Sequence, residues 1–157
     1  MIVVYNDIMT NKDSDEFIEY YKNNVEKEYV ETDNIYRYKA VTITREYNQF
    51  SFLRRIGLTP DMMDRVRIQC VDDTIKTVEN PHIHLEPYSF VCFLNEDFEG
   101  GELVFNNITF HPKRNQVIYF TKDERHLVKN VSNGYRYTLV CFLKKDLFKI
   151  IKVNKLI

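Results

Sequence analysis

The sequence predicts an α+β domain in which short helices flank a β-rich barrel or sandwich. Two helix-like segments occur before residue 65, mixed with strand-like runs. From Arg65 onward, eight short runs of β-branched and aromatic residues alternate with turn signals, which is typical of a barrel or sandwich. A chain of 157 residues has the length of one domain and can bury a sizeable core.

The first third supplies the flanking elements. Ser14 is expected to cap a helix that runs to about Asn24, because aromatic residues recur there at helical spacing. Gly57 is expected to end a second helix, since glycine is the preferred residue just past a helix C-terminus. This second helix is predicted over 45–57. Strands are predicted at 2–5 and 36–43.

The β-rich part is read from apolar runs and the turn residues between them. Breaks such as EPY, NEDFEGG, HPKRN and SNG separate the runs. The eight predicted strands are RVRIQCV, PHIHLE, SFVCFLN, GELVF, NITF, QVIYF, HLVKNV and YRYTLVCFL.

The charge balance, the N-terminal residues and the length of the apolar runs argue against several classes of protein. Lys+Arg 22 against Asp+Glu 23 gives a net charge of −1, which argues against a surface that coats nucleic acid or membrane. The chain starts without the basic lead of a secretory signal, and no apolar run approaches the ~20 residues that cross a bilayer. We therefore expect a soluble, cytoplasmic protein that does not bind membranes.

Three cysteines, Cys70, Cys92 and Cys141, lie far apart within apolar runs. An odd count without a CxxC pair argues against a disulfide framework or a zinc knuckle. Buried, reduced thiols are the expectation.

The stretch HIHLE carries the main functional signal. Side chains of a strand alternate between two faces, so His82, His84 and Glu86 would share one face at ~6.5 Å intervals. Imidazoles with a carboxylate suit iron, manganese or zinc. Taken alone, however, such a run is more often a half-exposed polar strand.

A second constellation follows later in the chain. His126 precedes Arg136 by ten residues, and an Asn-Gly turn lies between them. A hairpin at this turn would bring Arg136 back beside His126. Thr138 would face the same way as Arg136, and a guanidinium with an adjacent hydroxyl is a good receptor for a carboxylate.

Together these residues resemble a known family. His84-x-Glu86, His126 and Arg136 are similar to the HxD/E…H…R pattern of the Fe(II)/2-oxoglutarate-dependent dioxygenases. FLNEDFEGGELVF (93–105) and HPKRNQVIYF (111–120) resemble its prolyl-4-hydroxylase-like branch. The resemblance covers about residues 66–144.

The resemblance implies a fold and a domain organisation. The fold is a double-stranded β-helix, a jelly-roll or cupin-like barrel with flanking N-terminal helices and iron at its mouth. The whole chain, 1–157, would form a single domain. Its parts are flanking elements over 1–65, a β-helix core over 66–144 and a C-terminal extension over 145–157.

The resemblance also implies roles for individual residues. His84, Glu86 and His126 would bind Fe(II), and Arg136 with Thr138 would hold the far carboxylate of 2-oxoglutarate. With O2, the reaction would hydroxylate a C–H bond and release succinate and CO2; ascorbate is a candidate reductant. Further residues that could line the cavity or contact substrate, or merely pack or face solvent, are His82, Tyr88, Arg67, Gln69 and Asn95.

Three positions depart from the family pattern. Glu86 stands where the family usually has aspartate, and its extra methylene requires a small backbone adjustment. Phe93 replaces a tyrosine that often precedes LN, which removes one hydroxyl. Asn115 replaces a glycine, although asparagine also tolerates a left-handed turn.

The leading hypothesis is an iron-dependent hydroxylase of a peptidyl, prolyl or other protein side chain, an analogy from the branch. A free amino acid is a second possible substrate. A nucleic-acid demethylase is disfavoured, because Phe142 occupies the place of that branch's second arginine and the chain is not basic. A cupin-like metal- or ligand-binding barrel without oxygenase chemistry is the alternative from a different class.

Overall fold

The computed structural model describes residues 1–32, 37–75 and 81–147. The helices are α1 (Asn11–Asn23) and α2 (Ser51–Arg55), with 3-10 turns at Val25–Lys27 and Tyr47–Gln49. The strands are β1 (Ile2–Tyr5), β2 (Tyr29–Thr32), β3 (Arg37–Thr42), β4 (Met63–Val71), β5 (Tyr88–Phe93), β6 (Glu99–Gly100), β7 (Leu103–Phe105), β8 (Ile108–Phe110), β9 (Val117–Thr121), β10 (His126–Val128), β11 (Val131–Asn133) and β12 (Arg136–Leu143).

The strands form one large sheet and two small ones. The large sheet has the order β1-β9-β5-β12-β4-β3-β2, and the small sheets are β10-β7-β8 and β11-β6. Every pairing among them is antiparallel. Helices before the β-rich part and a barrel-like arrangement of antiparallel strands agree with the predicted α+β class.

The large sheet buries both of its faces. Along β12, Leu139 and Cys141 pack into an apolar layer that also contains Phe17 of α1 and Phe52 of α2. Val140, one position away from each, points to the opposite face and packs between the sheets. This alternation, expected of a strand, separates a helix-covered core from an interior between the sheets.

Helix α1 begins one turn earlier than predicted. Its N-cap is Thr10, whose hydroxyl accepts from the Asp13 N–H at 3.1 Å, while the Asp13 carboxylate accepts from the Thr10 N–H at 2.8 Å. This reciprocal capping box satisfies two backbone donors. Ser14, the predicted cap, lies inside the first turn and donates to Asn115 Oδ1 at 2.5 Å.

The second predicted helix is divided. Phe50 separates the 3-10 turn from α2 with an extended backbone (φ −99°, ψ 120°), and its ring stacks on Phe17 with centroids 4.7 Å apart. Packing of this buried ring overrides local helix preference. Gly57 ends the segment as predicted, in a left-handed conformation with φ 77°.

Two predictions about the β-rich part were wrong. Residues 81–86 do not form a regular strand: His82 makes an isolated bridge to His126, and Pro81 and Pro87 flank the segment. Proline has no N–H for a sheet ladder, so it limits pairing there.

The predicted hairpin between His126 and Arg136 is also absent. The two residues belong to different sheets, because β11 pairs with β6 and the chain then crosses to the large sheet at Gly134. The Asn-Gly signal marked a turn correctly but not the partner of the strand that follows.

All three cysteines are free and buried, as predicted. No helix within the described ranges is long and apolar enough to cross a membrane. The expected C-terminal extension lies largely outside the described residues; Lys145, at its start, bonds Asp61 Oδ2 at 2.5 Å.

Candidate metal and co-substrate site

A cavity of about 200 Å³ lies between the large sheet and the opposite wall of the barrel. Strands β4 and β12 supply one wall, and the segment around residues 82–86 with β7 and β10 supplies the other. Its lining residues are Tyr38, Arg65, Arg67, Gln69, His82, Ile83, His84, Leu85, Glu86, Val91, Leu103, His126, Val128, Arg136, Thr138, Val140 and Phe142.

Three histidines converge inside this cavity. One ring nitrogen from each of His82, His84 and His126 lies within 4.8 Å of the others. The Nε2 atoms of His84 and His126 are 3.1 Å apart. Two nitrogens bound at about 2.1 Å to one ion at a right angle would be about 3.0 Å apart, so this spacing suits a shared metal.

Hydrogen bonds behind two of the rings fix their orientation. His126 Nδ1 is 3.0 Å from the Glu124 carbonyl oxygen. Because a carbonyl only accepts, Nδ1 carries the proton and Nε2 of the neutral ring keeps its lone pair. His84 Nδ1 lies 2.8 Å from the hydroxyl of buried Ser89, which can accept from Nδ1 and leave Nε2 for a metal.

Ser89 is a functional candidate that the sequence reasoning missed. It lies on β5, and on the large sheet it is the cross-strand neighbour of Phe142 and Phe120. A serine at an inward position of an otherwise apolar strand is the signal that could have identified it.

Desolvation keeps His84 and His126 neutral. Desolvation, reinforced by His126, His82 and nearby arginines, lowers the pKa of His84 to about 2. Desolvation, with a smaller contribution from His82, lowers the pKa of His126 to about 4. Both imidazoles therefore offer lone pairs at neutral pH, as a metal ligand requires.

His82 is held next to His126 by the backbone. The His82 N–H donates to the His126 carbonyl at 2.8 Å, and the His126 N–H donates back at 3.0 Å. The metal ligands predicted from the sequence were His84, Glu86 and His126. Two of them, His84 and His126, belong to the group of three histidines. Glu86 lines the same cavity but lies outside that group.

Arg136 and Thr138 both face the cavity from β12. Arg136 is only 2% exposed, and its Nε donates to the Gly101 carbonyl at 2.9 Å. Thr138 is fully buried, and its hydroxyl has no hydrogen-bond partner within the described part of the chain. A buried hydroxyl is normally satisfied, so this pair fits a carboxylate ligand.

Gly101 makes room for Arg136. Its φ is 70°, and a Cβ at this position would lie 2.7 Å from Arg136 Cδ. The ring of Phe93 is also close, with its centroid 5.4 Å from the Arg136 guanidinium carbon. The phenylalanine that replaces the family's tyrosine thus supports the arginine through a cation–π contact.

Arg67 and Gln69 line the cavity, whereas two other sequence candidates have contacts outside it. Tyr88 stacks on Tyr119 at 6.0 Å in the helix-covered core. Asn95 organises a turn, where its Oδ1 accepts from the Tyr137 N–H at 2.9 Å.

The sequence of this chain matches a known protein family. The sequence model of the 2OG-Fe(II) oxygenase superfamily matches residues 66–144, half of the chain. No curated protein matches.

Several solved structures share the fold. A Pseudomonas putida prolyl-4-hydroxylase has a TM-score of 0.68 at 13% identity, covering 92% of this chain and 92% of that one. A prolyl 4-hydroxylase from Phytophthora capsici has a TM-score of 0.68 at 16% identity, covering 90% of this chain and 58% of that one. The viral collagen prolyl hydroxylase from Paramecium Bursaria Chlorella virus-1, in its 2OG complex, has a TM-score of 0.61 at 13% identity, covering 90% and 94%.

These neighbours confirm the predicted double-stranded β-helix fold. The matched region contains all the residues on which the resemblance was based: His84, Glu86, His126 and Arg136. The chain belongs to the 2OG-Fe(II) oxygenase superfamily and is a 2-oxoglutarate-dependent dioxygenase.

Proposed function

We propose that the protein is an Fe(II)- and 2-oxoglutarate-dependent hydroxylase whose iron is held by His82, His84 and His126. Arg136 and Thr138 would hold the co-substrate. The observation that carries this proposal is the convergence of three histidine nitrogens in the same cavity as a buried arginine and an unsatisfied threonine hydroxyl.

The donor set suits the metal. Neutral imidazoles are good ligands for iron, and the contacts of His84 and His126 to Ser89 and the Glu124 carbonyl orient their rings. The sequence-derived set, in which Glu86 takes the place of His82, is the competing proposal. It would give the two-histidine, one-carboxylate arrangement usual for iron oxygenases.

The co-substrate would be held by charge and shape. The Arg136 guanidinium can pair with a carboxylate in two-point fashion, and the Thr138 hydroxyl can donate to the same group. Iron, 2-oxoglutarate and O2 together supply the oxidant for a C–H bond, with succinate and CO2 as products. The chain's own task is to orient these groups and exclude water, which Val91, Val140 and Phe142 assist from the cavity wall.

For the substrate, we propose a peptidyl or other protein side chain, with proline as the first candidate. The support is the branch resemblance of 93–105 and 111–120 together with the prolyl hydroxylases among the structural neighbours. Ile83 and Leu85 line the cavity and are 51% and 92% exposed, so a bulky substrate can approach there. A free amino acid remains the alternative.

One observation favours a second function. Within the described ranges, the histidine cluster includes no carboxylate, which departs from the usual oxygenase set. A metal-binding barrel of this fold without oxygenase turnover would have the same histidines but no dependence on 2-oxoglutarate.

Anaerobic visible absorption tests the proposal. Fe(II) and then 2-oxoglutarate are added to metal-free protein, with His126→Ala and Arg136→Ala in parallel. We expect a charge-transfer band that needs both additions, disappears without His126 and weakens without Arg136. Succinate release, with ascorbate in the assay, would then be screened against proline-containing peptides. Iron binding without any response to 2-oxoglutarate would favour the non-catalytic barrel instead.

A further inference from the structure

Two exposed apolar side chains lie at the opening of the cavity, beside the candidate metal ligands. Ile83 is 51% exposed and Leu85 is 92% exposed, and both line the cavity. His126, in the same cavity, is only 4% exposed. Each of the two apolar residues directly follows a histidine of the cluster in the sequence, and consecutive Cα atoms are ~3.8 Å apart. Ile83 and Leu85 therefore mark the solvent side of the site, one residue away from the histidines.

The segment that carries these two side chains is anchored at both ends. The His82 N–H donates to the His126 carbonyl at 2.8 Å, and the His126 N–H donates back at 3.0 Å. At the other end, the Lys122 N–H donates to the Pro87 carbonyl at 3.0 Å. Pro81 and Pro87 also fix the φ angle at the two ends. Because the segment is held in place beforehand, its apolar side chains can bind a ligand at a small cost in conformational entropy.

Apolar side chains also line the interior wall of the cavity. Val91 and Val140 are a cross-strand pair of β5 and β12, and Phe142 lies two residues further along β12. All three are buried and pack in the same apolar cluster. Isolated exposed apolar side chains are common on protein surfaces. A pair of them at the opening of a cavity with apolar walls is instead typical of a binding site for an apolar group.

The position of the pair distinguishes a peptide substrate from a free amino acid. A free amino acid enclosed in a cavity of about 200 Å³ would leave Leu85 in water. A peptide extends on both sides of its reacting residue and would cover the pair where it passes the opening. Fully burying one leucine or isoleucine side chain strengthens binding about tenfold or more. The pair therefore favours a peptide that has an apolar residue close to the reacting one.

We infer that Ile83 and Leu85 are specificity-determining residues, which bind an apolar residue next to the reacting proline of an extended peptide substrate. This inference rests on the proposed function and adds the chemistry of the residue that flanks the target. Neither side chain has an ionisable or hydrogen-bonding group, so the pair takes no part in the reaction itself. Its contribution is to bind the correct peptide, which lowers KM and leaves kcat unchanged.

The test is hydroxylation of a pool of short peptides, each with one central proline and randomised residues on both sides. The protein acts on the pool with Fe(II), 2-oxoglutarate and O2, and mass spectrometry identifies the peptides that gain one oxygen atom. We expect apolar residues to be enriched beside the converted proline, and this enrichment to fall about tenfold in Ile83→Ser and Leu85→Ser through a higher KM. Leu85→Met should keep the enrichment. Ile108→Ser, at an isoleucine of β8 that is 47% exposed, is the matched control and should behave like the wild-type protein.

Two measurements on the same samples separate the ways in which the test can fail. The absorption band formed by Fe(II) with 2-oxoglutarate shows that a variant is folded and that its co-substrate site is intact. Light scattering shows whether a variant keeps the molar mass of the wild-type protein. If one serine variant lacks the band, the other carries the test.

Each unfavourable outcome has its own meaning. If the converted peptides show no apolar preference, or if both serine variants keep it, the inference is wrong while the proposed function stands. If the band forms but no peptide is converted, the inference is wrong together with the peptide substrate. A serine variant that changes molar mass but not peptide preference would assign the pair to a contact between copies of the chain, and would overturn the inference. If the wild-type protein shows no band, the proposed function fails, and the inference built on it fails for that separate reason.

Discussion

Individual side chains differ in how much of their role could be read from the sequence. His84, His126, Arg136 and Thr138 were predicted as site residues from motif spacing, and all four line one cavity. The approach of His82 to the other two histidines could not be predicted as firmly. It depends on the path of the chain between two prolines and on the backbone bridge to His126, neither of which side-chain alternation specifies.

Ser89 gives the first prediction. We expect Ser89→Ala to weaken metal binding about 10–100-fold, because His84 loses the partner that fixes its ring. Titration calorimetry with Fe(II) measures the change. Ser132→Ala, at an exposed serine of β11, is the matched control, and an equal affinity in both variants would contradict the role of Ser89.

Gly101 gives the second prediction. We expect Gly101→Ala to weaken 2-oxoglutarate binding about tenfold or more, since the new Cβ would push Arg136 aside. Metal affinity should change less, because the atoms nearest the new Cβ belong to Arg136 and Phe98 and not to a histidine. The co-substrate titration of the absorption band measures the effect. Tighter or unchanged 2-oxoglutarate binding would show that Arg136 is not its anchor.

At the level of elements, strands were predicted better than helix boundaries. Side chains of a strand alternate between two faces, so Arg136 and Thr138, two residues apart on β12, could be placed on the same side of the sheet. The start of α1 was placed a turn late, since a capping box at Thr10 outcompetes Ser14. The division of the second helix depends on the Phe17–Phe50 contact, which joins distant parts of the chain.

The capping box gives the third prediction. We expect Thr10→Ala to lower the free energy of unfolding by about 1 kcal/mol, because the Asp13 N–H loses its side-chain acceptor. Urea denaturation of the variant, compared with Lys12→Ala at an exposed position of the same helix turn, measures it. Equal stability of the two variants would show that the Thr10 cap does not stabilise the folded protein.

For the whole molecule, the fold class could be predicted from composition and from the pattern of apolar runs. Which strands pair with each other could not be predicted. Short apolar runs with turn residues between them predicted antiparallel sheets, and these formed. The Asn-Gly turn could not reveal that β10 and β12 belong to different sheets. That choice is made by packing across the barrel, which no local sequence feature encodes.

His84 and His126 give a pH prediction for the metal-free protein. Their folded-state pKa values, about 2 for His84 and about 4 for His126, lie below the ordinary value of 6.5. Below pH 6.5 the unfolded chain therefore binds more protons than the folded one, and stability present above that pH is lost as pH falls. The slope approaches about 1.4 kcal/mol per pH unit for each histidine.

Thermal unfolding between pH 7.5 and 5 measures this dependence. We expect the midpoint to fall with acidification, and to fall less steeply in His84→Gln and His126→Gln. A midpoint that rises or stays constant as pH falls would show that these rings are not held neutral.

The central claim is that His82, rather than Glu86, completes the metal site. The most direct measurement is anaerobic calorimetric titration of Fe(II) into the wild-type, His82→Ala and Glu86→Gln proteins. We predict that His82→Ala weakens iron binding at least tenfold, whereas Glu86→Gln changes it by less than about threefold. The reverse pattern, with iron binding lost in Glu86→Gln and retained in His82→Ala, would contradict the three-histidine site and restore the carboxylate as the third ligand.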